Sequence, residues 1–174
     1  MFAILVFVVR LLIDRGIGMI DIPGIGYILS VFFSIIYSLA FLMYKGRRWR
    51  LFSQALLSTF LYLIFINSTF RPTEIAALLN IFTADIVFNS LYGSFERKNK
   101  LLWVTNIFQV YYGTIQTLLL LVFYSILFYP FDAFLNNWFI PIISAMLPIL
   151  ILEGLAGGFI GYQIYRRVKI INSF

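Results

Sequence analysis

Long apolar runs separated by short polar or basic stretches are the dominant pattern of this chain. About 20 apolar residues, at 1.5 Å per residue, are enough for a helix to cross the hydrocarbon core of a bilayer. Transmembrane helices are therefore predicted at 25–43, 51–70, 75–93, 101–128 and 139–165. A further run at 2–13, apolar apart from Arg10, is too short to cross alone and predicts a short or tilted first helix.

Proline, glycine and charged residues mark the predicted boundaries. Glycines and a proline in 16–26 predict an irregular stretch after the first helix, and 130–138 is predicted as a loop. Pro72 suits the first turn of the helix predicted at 75–93, whereas Pro148 predicts a kink in the last helix. Asp14 lies one helical turn after Arg10, which is the spacing of an intrahelical ion pair.

The amino-acid composition indicates the fold class. Of 174 residues, 62% are hydrophobic and only 11% are charged, which is more apolar surface than a soluble domain of this size can bury. No polar linker divides the chain. We therefore predict one domain, 1–174, that is an all-α integral membrane protein with a compact bundle of about six transmembrane helices.

Residue types that are missing limit the chemistry. The chain has no cysteine and no histidine, which removes disulfides, thiolate metal sites and the commonest general base. It also lacks the glycine-rich phosphate-binding loop of ATPases. We expect no enzymatic activity, no metal and no other cofactor.

The net charge of +6 is concentrated in short clusters. Ten of the 13 Lys and Arg residues lie at 45–50, 97–100 and 166–169, which fall on one side of the membrane if there are six helices. This pattern sets topology and is not typical of nucleic-acid binding. By the positive-inside rule, it predicts a multi-pass protein of the cell (plasma) membrane with both termini cytoplasmic.

Polar residues inside the apolar runs are the candidate site. Asp85 and Glu153 lie about half-way along the fourth and sixth helices, where an ionisable group is costly unless it is paired or wetted. The fifth helix carries a polar stripe with 4-3-4 spacing, which is expected to face inward. The candidate substrate-binding residues are Asn80, Asp85, Gln109, Tyr112, Gln116 and Glu153. Interhelical hydrogen bonding, a solute cavity, and a proton or ion path through the two carboxylates all fit this pattern.

Four glycines share one face of the last helix. Gly154, Gly157, Gly158 and Gly161 are spaced at i, i+3, i+4 and i+7. Small residues at this spacing let two helix backbones approach each other in lipid. The pattern predicts either packing within this chain or docking of a separate subunit.

The segment 146–168 combines a Leu-Pro entry, Glu153, the glycine-rich middle and a Tyr-Arg-Arg exit at 165–167. It resembles the last helix of the substrate-binding (S) component of energy-coupling factor transporters. A second, weaker similarity is Ala-Asp-Ile-Val-Phe-Asn at 84–89, before the basic loop at 97–100. The family's first helix usually carries an Ala-x-x-x-Ala docking motif, whereas this chain has Ala3 followed by Phe7.

The resemblance implies a small protein of about six helices that captures a vitamin-like solute or a metal. It also implies docking on a shared ATP-driven module that powers uptake. Binding in that family is near the outer side, which implies roles for Asn80, Gln109, Tyr112, Gln116 and for Asp132 or Asn136. The expected partners are membrane lipids, membrane subunits and a small-molecule substrate, with no nucleic acid. The alternative is a non-catalytic accessory subunit of a larger membrane complex.

Overall fold

The computed structural model describes residues 2–17, 25–66, 72–128 and 140–171. This part is helical apart from two short turns, at 45–49 and 98–100. The helices are α1 (Phe2–Ile17), α2 (Ile25–Tyr44), α3 (Arg50–Ile66), α4 (Pro72–Arg97), α5 (Leu101–Phe128) and α6 (Ile140–Ile171). The prediction of an all-α chain with six helices is confirmed for the described residues.

The ends of the helices differ from the sequence prediction mainly at the basic clusters. α4 begins at Pro72, as predicted, but it continues past Gly93 to Arg97. α6 likewise continues past Tyr165 to Ile171, and it contains Pro148 within its length. Lys and Arg are good helix formers and interact favourably with a helix C-terminus, so these clusters extend the helices. The stretch 16–26 was predicted to be irregular, but its ends are helical, because α1 continues to Ile17 and α2 begins at Ile25. The rest of that stretch, 18–24, and the predicted loop at 130–138, with Asp132 and Asn136, lie outside the described residues.

Consecutive helices run in opposite directions. Pairing of Asn80 with Tyr112 and of Phe88 with Phe108 makes α4 antiparallel to α5. The hydroxyl of Tyr92 donates to the carbonyl of Leu42, 3.4 Å away, which brings the end of α2 beside the last part of α4. The basic clusters at 45–50, 97–100 and 166–169 therefore lie at one end of the bundle, called the basic end below.

Packing places α2 and α5 in the centre of the bundle. α2 contacts α1, α3, α5 and α6, and α5 contacts α2, α4 and α6, while α1 contacts α2 and α3 at the periphery. The core between α2, α4 and α5 is aromatic: Phe41 stacks on Phe108 with ring centroids 4.8 Å apart, and Phe88 meets Phe108 edge-on at 5.4 Å. Edge and offset ring contacts add specific attraction to general apolar packing.

The outward faces of the helices are apolar. Leu12, Ile64, Trp103 and Leu152 are among the large apolar side chains that stay well exposed. Two described stretches, Glu74–Arg97 and Ala145–Lys169, are long and apolar enough to cross a membrane. Shorter apolar helical stretches occur at Phe2–Leu12, Val31–Tyr44 and Arg50–Phe65. An exposed apolar surface on this scale matches lipid better than water.

Candidate functional site

The glycines of α6 bring its backbone against α5. A Cβ atom placed on Gly154 would lie 2.9 Å from the backbone nitrogen of Val110. One placed on Gly158 would lie 3.0 Å from the Cα atom of Asn106. Distances this short leave no room for a side chain, so these two positions need glycine for the observed approach.

The other two glycines pack against α2. A Cβ atom on Gly157 would lie 3.3 Å from the Cα atom of Ser34 and would overlap the Ser34 Cβ atom. One on Gly161 would lie 3.2 Å from the carbonyl oxygen of Ile35. The four-glycine face therefore sits in the groove between α2 and α5, and packing within this chain occupies it.

Gln109 is the most unusual polar residue of this region. It lies on α5 where Gly154 of α6 packs, and its side chain is only 1% exposed. Neither its amide nitrogen nor its amide oxygen has a hydrogen-bond partner in the described part of the chain. A buried polar atom without a partner costs about 1–3 kcal/mol, so this amide destabilises the fold unless a further group bonds to it.

One helical turn from Gln109, Asn80 of α4 bonds to Tyr112 of α5. The Asn80 side-chain amide donates to the backbone carbonyl of Tyr112 at 2.5 Å, while its own oxygen has no partner among the described residues. The Tyr112 ring lies 5.0 Å from that of Tyr37, centroid to centroid, which brings α2 into the same region. Three helices therefore converge at the level of Tyr112.

Glu153 and Gln116 flank this region on α6 and α5. Glu153 is half-buried, and one of its carboxylate oxygens is buried without a partner in the described part. It lies one turn before Gly157, so it is on the side of α6 that faces α2. Gln116 is half-buried, two turns beyond Gln109 on α5.

A small pocket lies between α5 and α6 on the side away from the basic end. Its volume is about 10 Å³, room for roughly one water molecule. It is lined by Thr114, Thr117, Leu118, Met146, Leu147 and Leu150. The Thr114 hydroxyl, close to this pocket, is buried and has no partner among the described residues.

Asp85 does not join this group, although the sequence placed it there as a candidate. It is 1% exposed and accepts hydrogen bonds from the backbone N–H of Phe52, at 3.2 Å, and from the Asn89 side chain. Phe52 lies in the first turn of α3, where backbone N–H groups lack helical partners and a negative charge is favoured. Asp85 therefore caps α3 near the basic end. It lies on the side of α4 that faces α3, away from Glu153.

A charged cluster that the sequence did not predict joins α1 to α4. Both terminal guanidinium nitrogens of Arg10, Nη1 and Nη2, donate to the Glu74 carboxylate, with a distance of 2.7 Å for the Nη1–Oε2 pair. Glu74 is only 2% exposed, and the Arg10 guanidinium lies 3.8 Å from the ring centroid of Tyr62. The Asp14 side chain, which sequence spacing offered as a partner, lies outside the described residues. Two sequence features could have indicated this contact: Glu74, a charge at the start of the fourth apolar run, and Arg10, a charge within the first.

The polar residues thus lie in two separate regions of the bundle. Asn80, Gln109, Tyr112, Gln116 and Glu153 lie along α4, α5 and α6, away from the extreme basic end, whereas Asp85 serves the start of α3. No protein-family model, curated protein or solved structure matches this chain. The resemblance of the last helix to transporter S components therefore stays a prediction.

Proposed function

We propose that the chain is a multi-pass protein of the plasma membrane, with six transmembrane helices and both termini in the cytoplasm. The exposed apolar faces support a lipid environment. Trp49 and Trp103 are both exposed at the basic end, where tryptophan side chains are typical of the membrane–water interface. The clustered positive charges favour the cytoplasmic side for this end.

Because the chain has no cysteine, topology can be tested by single replacements. We expect Arg48→Cys, Lys98→Cys and Lys169→Cys to resist a membrane-impermeant thiol reagent added to intact cells. Asn136→Cys, in the predicted outer loop, should react. Labelling of any of the first three in intact cells, with the cell membrane sealed, contradicts this topology.

Within that bilayer setting, we propose that the chain captures a small solute for uptake and works with a separate ATP-driven module. The observation that supports this is the buried Gln109 amide, which lacks partners in the described part of the chain. Asn80, Glu153 and Thr114 add further buried oxygens without partners on the same three helices. A solute with donors and acceptors, such as a vitamin, supplies the bonds that these groups lack.

The experiment is a thermal-shift series on the purified protein with candidate vitamins, together with identification of small molecules that copurify. Gln109→Leu is expected to abolish the ligand-dependent rise in Tm and to leave the fold intact. Gln54→Leu is the matched control, because Gln54 has a buried amide oxygen without a partner, but on α3. Loss of the ligand response in both variants, or in neither, contradicts a solute site at Gln109.

A second function is favoured by the small size of the α5–α6 pocket. With about 10 Å³, it admits roughly one water molecule and no vitamin. A packed interior of this kind fits a non-catalytic accessory subunit that stabilises a larger membrane complex. Stoichiometric copurification of membrane polypeptides, with no small molecule and no candidate that raises Tm, would favour this function over solute capture.

A further inference from the structure

The turn between α2 and α3 is held in an unusual backbone conformation. Lys45 and Trp49 both have positive φ angles, 50° and 68°, in the left-handed region that bulky residues rarely adopt. The turn is fixed at both sides: the Arg47 N–H donates to the Tyr44 carbonyl at 3.0 Å, and the Ser53 N–H donates to the Trp49 carbonyl at 2.9 Å. This geometry holds the Trp49 ring at the start of α3.

Trp49, Phe52 and Phe82 form an aromatic triad on the groove between α3 and α4. Their ring centroids are 5.6 Å apart for Trp49 and Phe82, 6.4 Å for Trp49 and Phe52, and 5.4 Å for Phe52 and Phe82. Trp49 remains 52% exposed although it contacts both phenylalanines. The triad therefore presents an open apolar surface directly below the basic turn.

The positive charges above the triad are not neutralised within the described part of the chain. Arg47, Arg48 and Arg50 are exposed, and none of them forms a salt bridge with a described residue. The nearest buried carboxylate, that of Asp85, is directed at the backbone of α3. A cluster of guanidinium groups beside an exposed indole ring matches a phosphate headgroup whose acyl chain leaves along an aromatic surface.

We propose that this place binds one anionic phospholipid. Arg48 and Arg50 hold the headgroup phosphate, and the first part of an acyl chain lies on the Trp49–Phe52–Phe82 triad. The α2–α3 turn is set back from the tip formed by α4 and α5, because Gly46 packs on Tyr92 and α4 continues for about 8 Å beyond Tyr92 before it ends. This step leaves space for a headgroup beside α4.

The occupant is a lipid and not a free anion, because charge and apolar surface are adjacent here. This site is separate from the polar region of α4 to α6. Its test therefore stands whether or not the chain captures a solute.

Trp49 itself can report the binding. We would measure its fluorescence in the full chain carrying Trp103→Phe and Trp138→Phe, in phosphatidylcholine nanodiscs with a minor fraction of brominated lipid. Brominated phosphatidylglycerol is expected to quench Trp49 more strongly than the same fraction of brominated phosphatidylcholine. Equal quenching by the two lipids overturns the proposal, and this comparison needs no change at the site.

Two charge variants then locate the contact. Arg48→Gln with Arg50→Gln is expected to remove the preference for phosphatidylglycerol, lowering relative affinity by roughly 25-fold, since each cation beside an anionic surface contributes roughly fivefold. Lys98→Gln with Lys100→Gln removes the same charge from the same end and should retain the preference. If the lysine pair removes it equally, the attraction is a general property of the basic end. Loss of the preference on adding inorganic phosphate at constant ionic strength would show an anion site without lipid selectivity.

Discussion

Replacement of Gln109 by leucine is expected to stabilise the solute-free protein. The nitrogen and the oxygen of its side-chain amide are both buried without partners among the described residues, at about 1–3 kcal/mol each, so removing both recovers about 2 kcal/mol or more. A hydrophobic residue of similar size costs less than about 1.5 kcal/mol in misfit. The net gain is at least about 0.5 kcal/mol, which raises Tm by roughly 1–2 °C in a chain of this length.

The measurement is thermal unfolding of the purified protein in detergent, before and after removal of any copurified small molecule. A solute at about 100 times its Kd stabilises wild type by about 2.7 kcal/mol and the variant by none, so the difference in stability shifts by this amount in favour of wild type. A fall in Tm for solute-free Gln109→Leu would show that the amide bonds to the protein in solution. That result would refute the reasoning from unpaired atoms.

The remaining predictions concern packing and capping, and each is read from the same thermal unfolding assay. Gly154→Ala should lower stability by about 1–3 kcal/mol, since its Cβ atom meets α5 backbone, whereas Gly93→Ala, where nothing lies within 4 Å, should be neutral or stabilising. Equal effects would contradict the close approach. Arg10→Leu should cost about 3–5 kcal/mol by leaving Glu74 buried without its ion-pair partner, and adding Glu74→Leu should recover most of this loss. No recovery would count against the pair. Asp85→Leu should destabilise by about 2–6 kcal/mol, as two donors lose their acceptor, and an unchanged Tm would exclude the cap.

The sequence predicted the helices well because each is a continuous apolar run with a clear stop. Pro72 marked the start of α4 correctly because proline at a first helical position loses no hydrogen bond. The ends at Arg97 and Ile171 were missed since hydropathy falls at the basic clusters although their residues favour helix. The pattern of apolar residues shows where a segment favours helix inside a bilayer. It does not show that the helix continues through a cluster of charged residues.

The site was harder to predict because it depends on how neighbouring helices are staggered. Asp85 is central within its own apolar run, yet it lies level with the first turn of α3, a relation that one helix cannot reveal. Arg10 and Glu74 are 64 residues apart, so no local spacing could pair them. The glycine spacing did predict close packing, but not that alternate glycines serve two different helices.

The two-sided glycine contact has a mechanical consequence. Because α6 touches α5 through Gly154 and Gly158 and α2 through Gly157 and Gly161, a rotation of α6 would drive backbone into backbone on one side or the other. We therefore expect these three helices to move together. Any opening of the bundle is expected elsewhere, and a separation of α1 from α4 would have to break the Arg10–Glu74 ion pair.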